Sequence, residues 1–361
     1  MQVLFLSHNR SDSDDAYNYR LRRLAAALEA EGIGVSISYL GDPPLGKPTL
    51  LHPLKISRVE AVRSADIVHA GSAAVAFTCA FLPRKGRPKI VFDMHGDTVA
   101  EQKLRARGGW DMVAHLRVLQ ERIKERVGLR ASDAVAVVSE PLRDHVARCG
   151  VSPGRVAVVR NGVDLDRFPV VAARPSGPDP LVVYAGRFDA WQGVENLLFL
   201  AARAGRGFRL RVIGFGPGDQ EVKERIRSLS EGAVEVRERL PQDELAEQLA
   251  DADLLLIPRE RNRVTEVAMP TKFSEYLSLG RPILMTRVGE PARLVERARC
   301  GVVVEPGGEA LLEGIRSFAA FSEEERAGMG ERARALAESE FDWRKIGPAY
   351  ARFLRAWIEE R

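Results

Sequence analysis

The sequence predicts an α/β protein of two doubly wound, Rossmann-like domains facing each other across a cleft. Three observations predict it. Strand-like and helix-like segments alternate through both halves, the pattern of parallel sheets covered by helices. The length of 361 residues gives room for two complete cores. A Pro/Gly-rich stretch at 169–180, PVVAARPSGPDP, reads as a linker between domains at 1–168 and 181–340.

Composition is that of an ordinary globular protein. No apolar run approaches the ~18 residues of a membrane span. The first residues, MQVLFLSHNR, lack a basic n-region and a small-residue cleavage site, so they read as a strand and not as a signal peptide. Cys79, Cys149 and Cys300 lie at least 70 residues apart, outside any C-x-x-C or Cys/His tract. That spacing argues against a metal site or a disulfide framework and for buried thiols in a reducing cytoplasm. Net charge is +4 and uneven: residues 1–168 carry 25 Lys/Arg against 19 Asp/Glu, the remainder 29 against 31. The basic half favours an anionic partner there, whether a phospholipid surface, a phosphorylated carrier or an acidic glycan. No nucleic-acid recognition motif accompanies the charge.

In the first half, VLFLS (3–7) reads as a strand and 11–19 as a polar loop. A helix follows with Leu21, Leu24, Ala25 and Leu28 at one-face spacing. Tyr17, Asn18 and Arg20 read either as acceptor-side residues or as part of a solvated helix cap. Residues 35–39 form a strand, 41–55 irregular chain, 65–70 a strand, 73–82 a small-residue helix and 83–89 a basic turn. The strand at 90–93 runs into Met94-His95-Gly96-Asp97. Ligands bind at the C-terminal strand ends of an open parallel sheet, so His95 reads as functional, with Glu101 supporting its loop. Residues 111–129 read as a helix with an apolar stripe (Met112, Leu116, Leu119, Ile123, Val127) and an outer face bearing Arg117, Arg122, Lys124 and Arg126. That outer face is either solvated surface or a contact for an anionic membrane. After a strand at 134–138, Ser139-Glu140-Pro141 opens a helix.

In the second half, LVVYAGRFDAWQGVENLL from 181 gives strand, loop and helix. The strand at 209–214 ends in Gly214-Phe215-Gly216-Pro217-Gly218, which lacks the third glycine of the dinucleotide fingerprint because Asp219 stands there. Residues 234–239 and 253–257 are strands, Leu240-Pro241-Gln242-Asp243 opens a helix, and 310–340 reads as helical and highly charged. The most informative stretch is Pro270–Arg287. Lys272 and Glu275 share the first turn of a helix that Gly280 stops, and Ile283-Leu284-Met285 follows as a buried strand. A helix N-terminus with an added lysine suits an anion; the nearby carboxylate suits hydroxyls.

The run PTKFSEYLSLGRP at 270–282 resembles the donor-binding signature of the family-4 retaining glycosyltransferases (glycosyl transferases group 1), which have the GT-B architecture. The resemblance spans nearly the whole chain and is strongest from Tyr184 to Gly307. It implies transfer of a sugar, with retention, from a UDP- or GDP-sugar to a glycan, a lipid-linked or a small-molecule acceptor. It places the ribose hydroxyls on Glu275, the diphosphate at Pro270-Thr271-Lys272, Arg187 and the Gly216 loop, the base at Arg239-Leu240, and the transferred sugar beside His95. It also implies that the last helix, 341–361, crosses back to the first domain. The family's second phosphate-binding lysine is Gln192 here, so Lys272 is expected to supply that charge. Family members commonly carry a second, catalytic glutamate eight residues before Glu275; here Glu266 stands nine before, so either a one-residue bulge brings it into the role or the role is vacant. No metal or other cofactor is implied, because Arg and Lys neutralise the diphosphate. The protein is expected in the cytoplasm, at most peripheral to the inner membrane face. A sugar-nucleotide epimerase of the same architecture and a non-catalytic partner subunit are the alternatives; the order of motifs opposes the first, and the retained Arg187, Lys272 and Glu275 oppose the second.

Overall fold

The computed structural model describes residues 1–11, 16–40, 60–83, 85–106, 112–170 and 179–359. The expected irregular chain at 41–55, most of the linker at 169–180, Asp111 and residues 360–361 lie outside them. The chain forms two compact units, Met1–Asn161 with Trp343–Arg361, and Gly162–Asp342. The division falls at Asn161/Gly162 because the following segment belongs to the second unit. There Phe168 is fully buried, and the Val163 amide donates to Phe341 O at 2.7 Å.

The first unit runs β1 (Gln2–Ser7), α1 (Ala16–Glu29), β2 (Gly34–Tyr39), α2 (Glu60–Ser64), β3 (Ile67–Ala70), α3 (Ala73–Cys79), β4 (Lys89–Met94), α4 (Thr98–Arg105), α5 (Met112–Ala131), β5 (Ala134–Val137), α6 (Glu140–Arg148) and β6 (Val156–Val158). Its strands form one parallel sheet in the order β2-β1-β3-β4-β5-β6. Strand β1 pairs with both β2 and β3, which makes its C-terminal end a point where the winding reverses. The expected stripe Leu21, Leu24, Ala25 and Leu28 is buried against this sheet. Helix α1 starts at Ala16, so Tyr17 and Asn18 stand on its first turn and not in the loop the sequence suggested.

The second unit runs β7 (Leu181–Ala185), α7 (Val194–Ala201), β8 (Arg209–Phe215), α8 (Gln220–Ser230), β9 (Val234–Glu238), α9 (Gln242–Ala250), β10 (Leu254–Ile257), α10 (Arg263–Val267), α11 (Thr271–Ser278), β11 (Ile283–Thr286), α12 (Gly289–Ala298), β12 (Gly301–Val304), α13 (Gly308–Ala320) and α14 (Glu323–Glu340). The sheet order β12-β11-β10-β7-β8-β9 is the doubly wound Rossmann order, with its switch point between β7 and β10. The helical stretch expected over 310–340 is divided into two helices. Phe321 turns extended, and the Ser322 hydroxyl caps α14 in a reciprocal box with Glu325. A final helix, α15 (Trp343–Glu359), packs on α1 in the first unit, burying Trp343, Tyr350 and Leu354.

Helix α5 departs most from expectation. Met112, Val113, Leu116, Leu119 and Ile123 are exposed, and the side chains it buries are those of Glu125 and Leu129 near its end. Its apolar stripe is exposed, although the helix packs on α3 and α4.

Candidate functional site

In the second unit the site forms at the switch point. Tyr276 on α11 fastens that helix to β7: its hydroxyl accepts from the Ala185 amide at 2.9 Å and donates back to Ala185 O at 3.3 Å. This fixes the first turn of α11, with Lys272, over the end of β7. The Lys272 ammonium lies 4.2 Å from the centre of the Tyr184 ring. It packs against Gly186, whose φ of 146° and missing Cβ leave the space it fills. Its Nζ is buried without a hydrogen-bond partner. Burial first, and the neighbouring Arg259 second, lower its pKa to about 7, against the pull of Glu275 and Asp189.

Arg259 follows β10, on the other side of the switch point. It is 5% exposed, its Nε has no hydrogen-bond partner, and burial lowers its pKa to about 10. No motif in the sequence singles it out; its place just past a strand end is the signal that could have found it. Glu275 stands one turn along α11 from Lys272, where burial raises its pKa, and Gln242 at the start of α9 donates to its Oε1 at 3.4 Å. The two cations sit where an anion would neutralise them, and the carboxylate beside them can accept from hydroxyls.

The other residues expected at the donor are more loosely held. Arg187 is 69% exposed and paired with Asp189 at 3.2 Å. Gln192 ends a short turn before Gly193 and is half-buried. Arg239 is exposed, and Leu240 beside it half-buried. The Gly216 amide donates to Asp219 Oδ2 at 2.9 Å, so the residue that breaks the dinucleotide fingerprint closes the loop itself. Pro270 caps α11 with extended backbone, and Thr271 opens it. Glu266 lies on α10 and accepts from the Gly289 amide at 3.2 Å, capping α12; Arg261 is 3.6 Å from its other oxygen.

In the first unit His95 follows β4 as expected, and the residues around it form a buried network. Asp93, on β4, lies 3.3 Å from Arg20 Nη2, 3.3 Å from His95 Nε2 and 4.0 Å from His69 Nε2. Arg20 also donates to Arg160 O at 2.9 Å and Asn161 Oδ1 at 3.2 Å. Burial pushes the Asp93 carboxyl up, but Arg20 and the two imidazoles outweigh it and bring its pKa down to about 2. Burial lowers His69 and His95 to about 4 each despite Asp93, so both rings are neutral near pH 7. Tyr17 packs edge-on against His95 with ring centres 4.7 Å apart, its hydroxyl against Gly71. Asn18 is buried and ties Arg10 O to α1 at 2.8 Å. Glu101, in the first turn of α4, reaches toward Gly96. The structure therefore brings Tyr17, Arg20 and His95 together, with Asp93 and His69 added.

Residues 2–167 match the profile of Glycosyltransferase Family 4, and residues 179–320 that of Glycosyl transferases group 1. The chain belongs to the group 1, family-4 glycosyltransferases. A protein of Escherichia coli strain K12 named for a colanic acid biosynthesis glycosyltransferase, WcaL, is 27% identical over 300 residues, covering 80% of this chain and 70% of its own. A sucrose-phosphate synthase from Thermosynechococcus elongatus superposes with a TM-score of 0.80 at 20% identity, over all of both chains. HepE from Anabaena, solved in complex with UDP, gives 0.74 at 20% identity, over 99% of this glycosyltransferase and 100% of HepE. These structural likenesses establish the GT-B fold.

Proposed function

We propose that this glycosyltransferase takes its sugar, with retention of configuration, from a nucleoside-diphosphate donor held by the second unit. The observation that carries the reading is the pair of buried cations, Lys272 and Arg259, set at the switch point without a hydrogen-bonded anion and beside the hydroxyl-accepting Glu275. A diphosphate brings about two negative charges, and fixed cations aimed at the leaving group stabilise it as the glycosidic bond breaks. Those cations do the work a divalent metal would do, so transfer is expected without added metal. The structure of HepE with UDP supports a uridine donor, with GDP-sugars the competing class. His95, neutral and 3.3 Å from Asp93, is assigned to the transferred sugar, and Tyr17, Asn18, Arg20 and Glu101 to the acceptor side. Glu266 is left as a helix cap with a catalytic role to be tested.

Calorimetry and thermal shift against UDP, GDP and ADP test the donor, because a ligand that binds only the folded state raises its stability. Binding of none of the three removes the reading. An NMR assignment of product anomers tests retention. Incubation with nucleotide sugar and no acceptor separates transfer from epimerisation, since only an epimerase yields a new sugar nucleotide.

The exposed face of α5 supports a second element of the reading, an acceptor or carrier at an anionic lipid surface. Met112, Val113, Leu116, Leu119 and Ile123 are exposed beside Arg117, Arg122 and Arg126, with Lys124 paired to Glu121 at 2.7 Å. Apolar residues for the acyl boundary and arginines for the headgroups are the two signals a surface-lying helix needs. The similarity to a colanic acid biosynthesis protein points the same way, toward polysaccharide assembly. Co-sedimentation with phosphatidylglycerol vesicles should fall with salt and with Leu116→Asp; binding indifferent to both refutes this element.

A further inference from the structure

Glu125, His145 and Cys149 converge on one point in the first unit. Glu125 comes from the last turns of α5; His145 and Cys149 come from one face of α6 and its cap, four residues apart. Their donor atoms all lie within 4.8 Å of one another. Glu125 Oε1 is 3.0 Å from His145 Nε2, and Cys149 Sγ is 4.0 Å from the same nitrogen. A relay would place the carboxylate on one ring nitrogen and the thiol on the other. Here both face Nε2, so the three donors surround a shared point and do not form a chain.

The carboxylate shows what is missing. Glu125 is 6% exposed, and its Oε2 is buried without a hydrogen-bond partner. Leaving a buried carboxylate oxygen unmatched is costly, and a cation held by both oxygens of the carboxylate would satisfy it. Thiolate, imidazole and carboxylate together suit zinc, and three protein ligands leave its fourth position open. Zinc–ligand bonds of about 2.0–2.3 Å in tetrahedral geometry separate the ligand atoms by roughly 3.2–3.8 Å. The observed 3.0 and 4.0 Å lie on either side of that range, and all three donor atoms lie within 4.8 Å of one another, so ligation asks for side-chain adjustments of about an ångström.

We propose that Glu125, His145 and Cys149 form a zinc site with an open fourth position, bridging α5 to α6. Cys149 binds as thiolate and its proton leaves to solvent; His145 binds through Nε2, which therefore carries no proton in the complex. The site contradicts the expectation that the cysteines are all buried and unconnected with metal, because Cys149 is exposed while Cys79 and Cys300 are buried.

The folded full-length protein is loaded with zinc sulfate and exchanged into metal-free buffer, and retained zinc is counted per chain. Cobalt(II) is used in parallel, because thiolate ligation gives it a charge-transfer band. Wild type should retain one zinc and show the band; Cys149→Ser and His145→Ala should each retain at least tenfold less, and Cys149→Ser should lose the band. Iodoacetamide should alkylate Cys149 in the native apo protein at least tenfold faster than in the zinc-loaded protein. Exposed Cys149 tolerates serine, so that variant keeps the test decisive even where His145→Ala folds poorly. Absence of retained zinc in the wild type, equal retention by Cys149→Ser, or alkylation unaffected by zinc overturns the proposal.

Discussion

The two units bury charge in opposite ways. In the first, Arg20 at 2% exposure and Asp93 at 3% neutralise each other, and the imidazoles of His69 and His95 stay uncharged beside them. The cluster is closed: its charges are balanced from within. In the second, Lys272 and Arg259 lie close, and the carboxylates that act on Lys272, Glu275 and Asp189, make no ion pair with it. That cluster is open. Burying an unbalanced cation costs several kcal/mol, of the order of a fold's whole margin. A closed network holds a residue in place, whereas an open one is completed by a ligand.

Breaking the closed cluster should have the largest effect. Asp93→Asn strands the Arg20 guanidinium in the core and should cost about 3–5 kcal/mol of stability, measured by urea unfolding. A cost below about 1 kcal/mol would show that Arg20 is satisfied by Arg160 and Asn161 alone. His95→Ala removes no charge from that balance, so stability should change far less. Transfer should nevertheless fall about 100-fold or more while diphosphate affinity stays near wild type, as expected for a group acting on the sugar and not on donor binding. Unchanged turnover would remove His95 from the reaction.

In the open cluster the loss should appear in binding. Charge-assisted hydrogen bonds are worth about 1.5–3 kcal/mol, so Lys272→Ala should weaken UDP roughly 10- to 150-fold, and Arg259→Ala comparably. If Gln192 faces the phosphates, adding Gln192→Lys to Lys272→Ala should recover part of the loss; no recovery places Gln192 elsewhere. Arg187→Ala should cost least, because that side chain is mostly in solvent and already paired.

The clusters should also separate by pH. His69 and His95 titrate near 4 in the fold against 6.5 in model peptides, so the unfolded chain binds more protons between those values. Stability should therefore fall as pH drops from about 6.5 to 4, and Asp93 adds a further loss below about 4 as its folded pKa of about 2 is approached. Lys272 works from the other side. With its pKa lowered to about 7 in the free protein, it is mostly neutral at pH 8, and a bound diphosphate restores the charge. UDP binding at pH 8 should take up a proton, read as a dependence of calorimetric heat on buffer ionisation enthalpy. No uptake would mean that Lys272 is already charged or does not meet the phosphates.

Periodicity and strand-end position carried much of this protein. The alternation of apolar runs and helical stripes specifies two parallel sheets, because strands buried on both faces must be apolar and their crossovers amphipathic. The stretch from Pro270 to Pro282 named the family, since spacing along a single helix is local and survives in one dimension. The position of His95 was legible for the same reason: a histidine just past a buried strand is a statement about neighbours in sequence. Three things were decided only in three dimensions. Arg259 becomes a partner of Lys272 because β10 lies beside β7, though 74 residues separate Arg259 from Ala185 along the chain. The stripe on α5 faces solvent while Glu125 and Leu129 near its end are buried; periodicity fixes a face but not what covers it. Glu125 reaches His145 and Cys149 across two helices, and convergence of three side chains depends on packing angles that no spacing rule encodes.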